Sequence, residues 1–251
     1  MKLKLFPIEN FDNESIGTIK KLIKISEDLL DKSDISVPRF IEFYDELELF
    51  IKRILPQVKD YGLTEKQSKE FIKASLNSGT YGTFDIKENS IVEMNFNPHF
   101  KLFYPSIHFL KLLIHESLHL FLYENLKQDI YKGKFKFKEG EYIGYKEIIQ
   151  LDEGFAEFLT DKILEKYDFN LIKDLPIYSG LNTSPSYLKE IEGVNIIDLN
   201  KKFNNIYEEN SNKGYEIVEK KFNQSEGTFK EKIKKIINFI QEEIDNLPKH
   251  K

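Results

Sequence analysis

Apolar residues fall at helical spacing through most of this 251-residue chain. Between residues 14 and 31, Ile16, Ile19, Leu22, Ile23, Leu29 and Leu30 form the stripe expected of a helix buried on one face. Pro38 precedes a second stretch, residues 39–58, where Phe40, Ile41, Phe43, Tyr44, Leu47, Phe50, Ile51 and Leu55 keep a helical rhythm. Thr64 is placed to cap a third helix over 65–78. The first 75 residues thus read as helical. The rhythm changes at Gly79. Two short extended runs flank Lys87-Glu88-Asn89-Ser90 and close at Asn97-Pro98, the pattern of a hairpin or two adjacent strands. In the second run Ile91, Glu93 and Asn95 alternate with Val92, Met94 and Phe96. Helical spacing resumes over about 105–126, breaks at a Gly- and Lys-rich connector (127–147), and returns over about 148–167. Beyond it Pro176 and Pro185 interrupt a mostly helical remainder, which ends in an amphipathic helix introduced by Ser225-x-x-Thr228. The expected class is α+β, predominantly helical. The organisation reads as a helical region (1–75), a core with a small sheet (76–170) and a second helical region (171–251), or as all of these in one domain.

Composition narrows the picture slightly. Apolar residues at 40% and charged residues at 31% are an ordinary globular balance. The net charge of −5, with both signs mixed, gives no nucleic-acid footprint, and the Lys-rich run 132–140 is interrupted by Glu as a solvated surface would be. The absence of cysteine removes disulfides, thiolate metal sites and a Cys nucleophile. No apolar run approaches a membrane span and no secretory apolar segment follows the first lysines, so a soluble, cytoplasmic protein is expected. Nothing in the sequence indicates an oligomeric state.

The chemistry is concentrated in residues 109–126, FLKLLIHESLHLFLYENL, where His115, Glu116 and His119 interrupt the apolar middle of a helix. Each would need a partner or incur a desolvation cost if buried. His115 and His119 are four apart and share a face, a spacing that lets two imidazoles meet one tetrahedral zinc ion. Glu116 is rotated about a quarter-turn away, placed to act as a general base without ligating the metal. A third ligand is required, and the helix containing 151-LDEGFAEFL-159 offers Asp152, Glu153 and Glu157, the last two sharing a face at i,i+4. Glu116-x-x-His119 is also half of a di-iron motif. That chemistry needs a second Glu-x-x-His, whereas Glu153 is followed at +3 by Ala156 and Glu157 by Thr160.

HESLH followed by DEGFAEF resembles the gluzincin branch of the zinc metallopeptidases, which includes thermolysin and related aminopeptidases. The resemblance covers roughly residues 80–160. It implies a zincin-like core and one zinc per chain, held by His115, His119 and Glu153, hydrolysing bonds in a peptide or protein substrate. Glu116 would be the general base, Glu157 would hydrogen-bond the first zinc histidine, and Asp152 stands where the family usually has Asn. The strand at 90–98 would be the edge strand that binds extended substrate. The residues between His119 and Glu153 outnumber those in familiar members, so the connector would loop out as an insertion. The family's oxyanion-stabilising tyrosine lies in a Tyr-x-Lys-Gly setting. Here Lys213-Gly214 is present, but Ser211 stands at the tyrosine position, with Tyr207 and Tyr215 one turn to either side; Tyr215 is favoured. His108 and His99 are expected to pack against or line the cleft, and His250 to lie in a tail. The Ser at 211 and the long N-terminal region motivate an alternative, a binding or regulatory protein on the same scaffold with weak or no catalysis.

Overall fold

The computed structural model describes residues 1–11, 13–59, 61–77, 82–85, 87–94, 106–126, 136–138, 141–166, 190–191 and 193–247. Strand β1 (Lys2–Phe6) leads through a 3₁₀ turn to helix α1 (Asn13–Lys32). Strand β2 (Phe40–Tyr44) and helices α2 (Leu47–Lys59) and α3 (Glu65–Asn77) follow. Next come strands β3 (Gly82–Asp85) and β4 (Ser90–Met94) and helix α4 (Ser106–Asn125). A short ribbon of β5 (Phe137–Lys138) and β6 (Glu141–Tyr142) precedes helix α5 (Lys146–Lys166). A second ribbon, β7 (Glu190–Ile191) and β8 (Val194–Asn195), leads into the long helix α6 (Ile196–Gln224) and then α7 (Phe229–Asp245).

The main sheet has the order β1-β2-β4-β3. The first three strands are parallel, with Leu3, Ile41 and Ile91 in register, and β3 closes the sheet antiparallel to β4. This corrects two expectations. Residues 40–44 are not the start of a helix but a central strand, and helix begins only at Leu47. The reason is visible in the burial: Ile41 and Phe43 pack on one side with α1 and α4, while Tyr44 packs on the other with α2 and Val92. A strand buried on both faces reads as a continuous apolar run, which periodicity cannot separate from a buried helix. The second correction concerns the edge. Ser90–Met94 lies between β2 and β3, and the edge strand on that side of the sheet is β3.

Other helical expectations match the described elements closely. Thr64 caps α3 reciprocally with Gln67: its backbone N–H donates to Gln67 Oε1 and its hydroxyl accepts from the Gln67 N–H. Thr228 forms a capping box with Glu231 at the start of α7. His99, His250, Asn97-Pro98, Pro176, Pro185 and most of the connector lie outside the described residues, as does the side chain of His108.

Helix α4 is the pivot. Leu110, Ile114, Leu118 and Leu122 join a core with α5, α6 and α7, whereas Phe109, Leu113 and Leu120 pack toward the sheet and α1. A helix apolar on nearly all sides is a buried one. Among the described residues, no helix is long and apolar enough to cross a membrane.

Candidate metal centre

The polar face of α4 meets α5 in antiparallel fashion: along α4, Lys111, His115 and His119 face Asp161, Glu157 and Asp152 in turn. The two histidines are four positions apart on one helix, so their rings lie one above the other at right angles, with Nε2 atoms 2.9 Å apart. Glu153 Oε2 lies 3.6 Å from His115 Nε2 and 3.4 Å from His119 Nε2. Among the described residues, His115, His119 and Glu153 are the one group whose three ligand atoms converge closely enough to hold a metal ion. A tetrahedral ion with bonds of about 2.0–2.1 Å holds its ligand atoms about 3.3 Å apart. The observed separations bracket that value, so these residues fit such an ion.

Outer contacts prepare the donors. His119 is 2% exposed, and its Nδ1 lies 2.7 Å from Oδ1 of the fully buried Asp152. A carboxylate there accepts Nδ1–H, so Nε2 is the nitrogen that faces the centre and would give up its proton to a bound ion. Burial alone would disfavour a charged His119, but Asp152 and Glu153 outweigh it and raise its pKa to about 10. The Phe84 ring of β3 stacks on the His119 imidazole at 5.0 Å, so the sheet edge runs directly beside the centre. Glu157 Oε1 is 3.8 Å from His115 Nδ1, on the correct side of the ring but beyond hydrogen-bond reach. Glu116 is buried on the same helix, and its charge is felt by the Tyr207 phenol.

The two candidate tyrosines part company here. The Tyr207 hydroxyl donates to Glu153 Oε2 at 2.5 Å. Burial, followed by the Glu153 carboxylate, holds this phenol protonated well above the usual tyrosine range. Tyr215, favoured on sequence, instead bonds Asp161 Oδ2 at 3.3 Å and packs edge-on against Phe158. Asp161 is eight residues beyond Glu153 on α5, about 12 Å along the axis at 1.5 Å per residue. Tyr215 is therefore not the tyrosine beside the triad.

Sequence reasoning also left unassigned the contact of Asp152 with His119. Its signal was a carboxylate beside Glu153 on an otherwise apolar helix face. Phe84 carried no signal that separates it from any strand aromatic. Comparison with known protein families, characterised proteins and solved structures returns no match for this chain.

Proposed function

We propose that this chain is a zinc-dependent metallopeptidase. The observation that carries the reading is the convergence of two histidines and one glutamate from two helices on a buried point, with a further carboxylate, Glu116, on the histidine helix. Two imidazoles and a carboxylate are a donor set used by catalytic zinc, which keeps a fourth position open. Zinc, when bound, supplies Lewis acidity that polarises a carbonyl and makes a water more acidic at neutral pH.

This chain's residues would do the rest. Glu116 takes the proton of the attacking water and delivers it to the departing amine. Asp152 keeps His119 in the ligating tautomer. Among the described residues no strand pairs with the outer side of β3, and Phe84 of that strand touches His119. An extended peptide adding to this edge would pass the centre in register. The test is metal analysis with peptide turnover. One zinc per chain is expected, and Glu116→Gln should keep the zinc while losing about a hundred- to ten-thousand-fold in kcat. A zinc-free protein after metal-replete preparation sinks the reading.

One observation favours a second reading, a zinc-binding protein with little turnover. Of the two candidate tyrosines, the one beside the centre, Tyr207, is bonded to the carboxylate of Glu153. Retained zinc with no cleavage across a peptide library would select it.

A further inference from the structure

We propose that Tyr207 orients the third metal ligand, Glu153, and that a backbone-to-backbone contact between Gly154 and Gly214 sets it in place. The proposal rests on the metal-centre reading above.

Helices α5 and α6 run parallel. Tyr207 bonds Glu153 and Tyr215 bonds Asp161 at the same sequence offset of 54, and Asn210 bonds Gln150 at an offset of 60. Their closest approach is at two glycines. A Cβ on Gly154 would lie 2.1 Å from the Gly214 carbonyl carbon, and a Cβ on Gly214 would lie 1.8 Å from the Gln150 carbonyl oxygen. Real side chains do not tolerate such distances, so neither position accepts even alanine unless the helices separate. Here glycine is required for close backbone approach. One turn before Gly214, buried Asn210 accepts from Gln150 Nε2 at 2.8 Å and donates back to the Ile206 carbonyl at 2.6 Å. The seam is therefore fixed both by the absence of side chains and by a polar lock.

This seam adjoins the centre. Gly154 directly follows Glu153, and Tyr207 stands seven residues, two helical turns, before Gly214. The Tyr207 ring stacks on Phe203, which leaves its hydroxyl aimed at Glu153. The oxygen it contacts, Oε2, is also the one facing both histidines. A glutamate has three rotatable side-chain bonds, and a fixed donor on its ligating oxygen selects one arrangement before any ion arrives. Partners of this kind around metal ligands typically alter affinity by about 10–100-fold. Separation of the helices by even an ångström would take the 2.5 Å contact to the limit of hydrogen bonding.

The test measures zinc affinity, by competition with a chromogenic chelator at fixed pH, alongside the melting of the metal-free protein. Tyr207→Phe is expected to weaken zinc binding about 10–100-fold with unchanged melting. Gly214→Ala should weaken it in the wild-type background but not further in the Tyr207→Phe background, because both act through one contact. Should Gly214→Ala fail to fold, Asn210→Ala loosens the same seam without adding bulk, and the same dependence on Tyr207 is expected. Unchanged affinity in Tyr207→Phe, with clear loss in Glu153→Gln, overturns the proposal while the metal centre stands. A seam variant that lowers melting but not affinity overturns the part played by the glycines. A wild type that binds no zinc, or a Glu153→Gln that binds it equally well, overturns the centre and the proposal together.

Discussion

Adjacent carboxylates on α5 take different atoms of the same imidazole. Asp152 meets His119 at Nδ1, and Glu153 faces its Nε2. Asp152→Ala should therefore weaken zinc binding about 10–100-fold. Asp152→Asn, whose amide oxygen can still accept Nδ1–H, should lose much less. Titration of both variants with zinc checks this ordering, and equal losses would mean that charge, not orientation, is what Asp152 supplies. That acidic residues of this helix belong to a site was legible, because a carboxylate buried without a partner is costly. Which of them would meet which ring nitrogen was not. That depends on the rotation of α5 against α4, on which local periodicity is silent. The tyrosines teach the same lesson. Tyr207 and Tyr215 both bond an acid on α5 at the same offset, so the choice between them is an axial register of α6. The glycine seam sets that register, and Gly214 in the sequence does not announce its partner.

At the scale of elements, the misread strand β2 carries the most revealing side chain. Glu42 sits in an otherwise apolar run and is 3% exposed. Its carboxylate accepts from Arg53 Nε at 2.7 Å, Lys4 Nζ at 2.9 Å and the Tyr44 hydroxyl at 3.2 Å. Arg53 of α2 reaches on to Asp85 Oδ2 at 2.6 Å and Ser90 Oγ at 3.2 Å. One guanidinium thus ties α2 to β2, β3 and β4, and Glu42 adds β1. This explains why residue 42 lies in a strand and α2 begins only at Leu47: a helix through residue 42 would lose every one of these partners. Removing one member of a buried ion pair costs about 3–5 kcal/mol, and Arg53→Ala should fall toward the lower end because Lys4 and Tyr44 remain on Glu42. Denaturant unfolding measures it. Burial pushes the Glu42 pKa up, but Arg53 and Lys4 outweigh it and hold the pKa below the ordinary 4.5. A depressed carboxylate pKa stabilises the fold at and above that ordinary value, and the contribution is lost as pH falls through the folded value. Glu42→Gln should therefore lower stability at neutral pH and flatten its decline below about pH 4.5. A decline as steep as in the wild type would place the acid sensitivity elsewhere.

The whole molecule is organised around α4, which separates the sheet from the helical bundle and carries two of the three residues that could hold a metal ion. The α+β, mostly helical character was legible from periodicity. The topology was not, because the parallel strands β1, β2 and β4 are far apart in the chain, with helices between each pair, and such pairing leaves no local mark. Residues 1–75 accordingly supply two of the sheet's four strands as well as helices. Metal binding should reach across this architecture. His115 and His119 lie on α4 and Glu153 on α5, and Tyr207 brings in α6. An ion bound to the folded state alone adds stability by mass action, about 2.7 kcal/mol at a free concentration one hundred times its Kd. For a chain of this size that corresponds to a rise of roughly 5–10 °C in Tm. Glu116→Gln should keep the rise, since Glu116 is not a ligand, and Glu153→Gln should lose most of it; added chelator should reverse it in the wild type. A zinc-induced shift that survives Glu153→Gln undiminished would show that Glu153 contributes nothing to holding the ion, and would remove α5 from the centre.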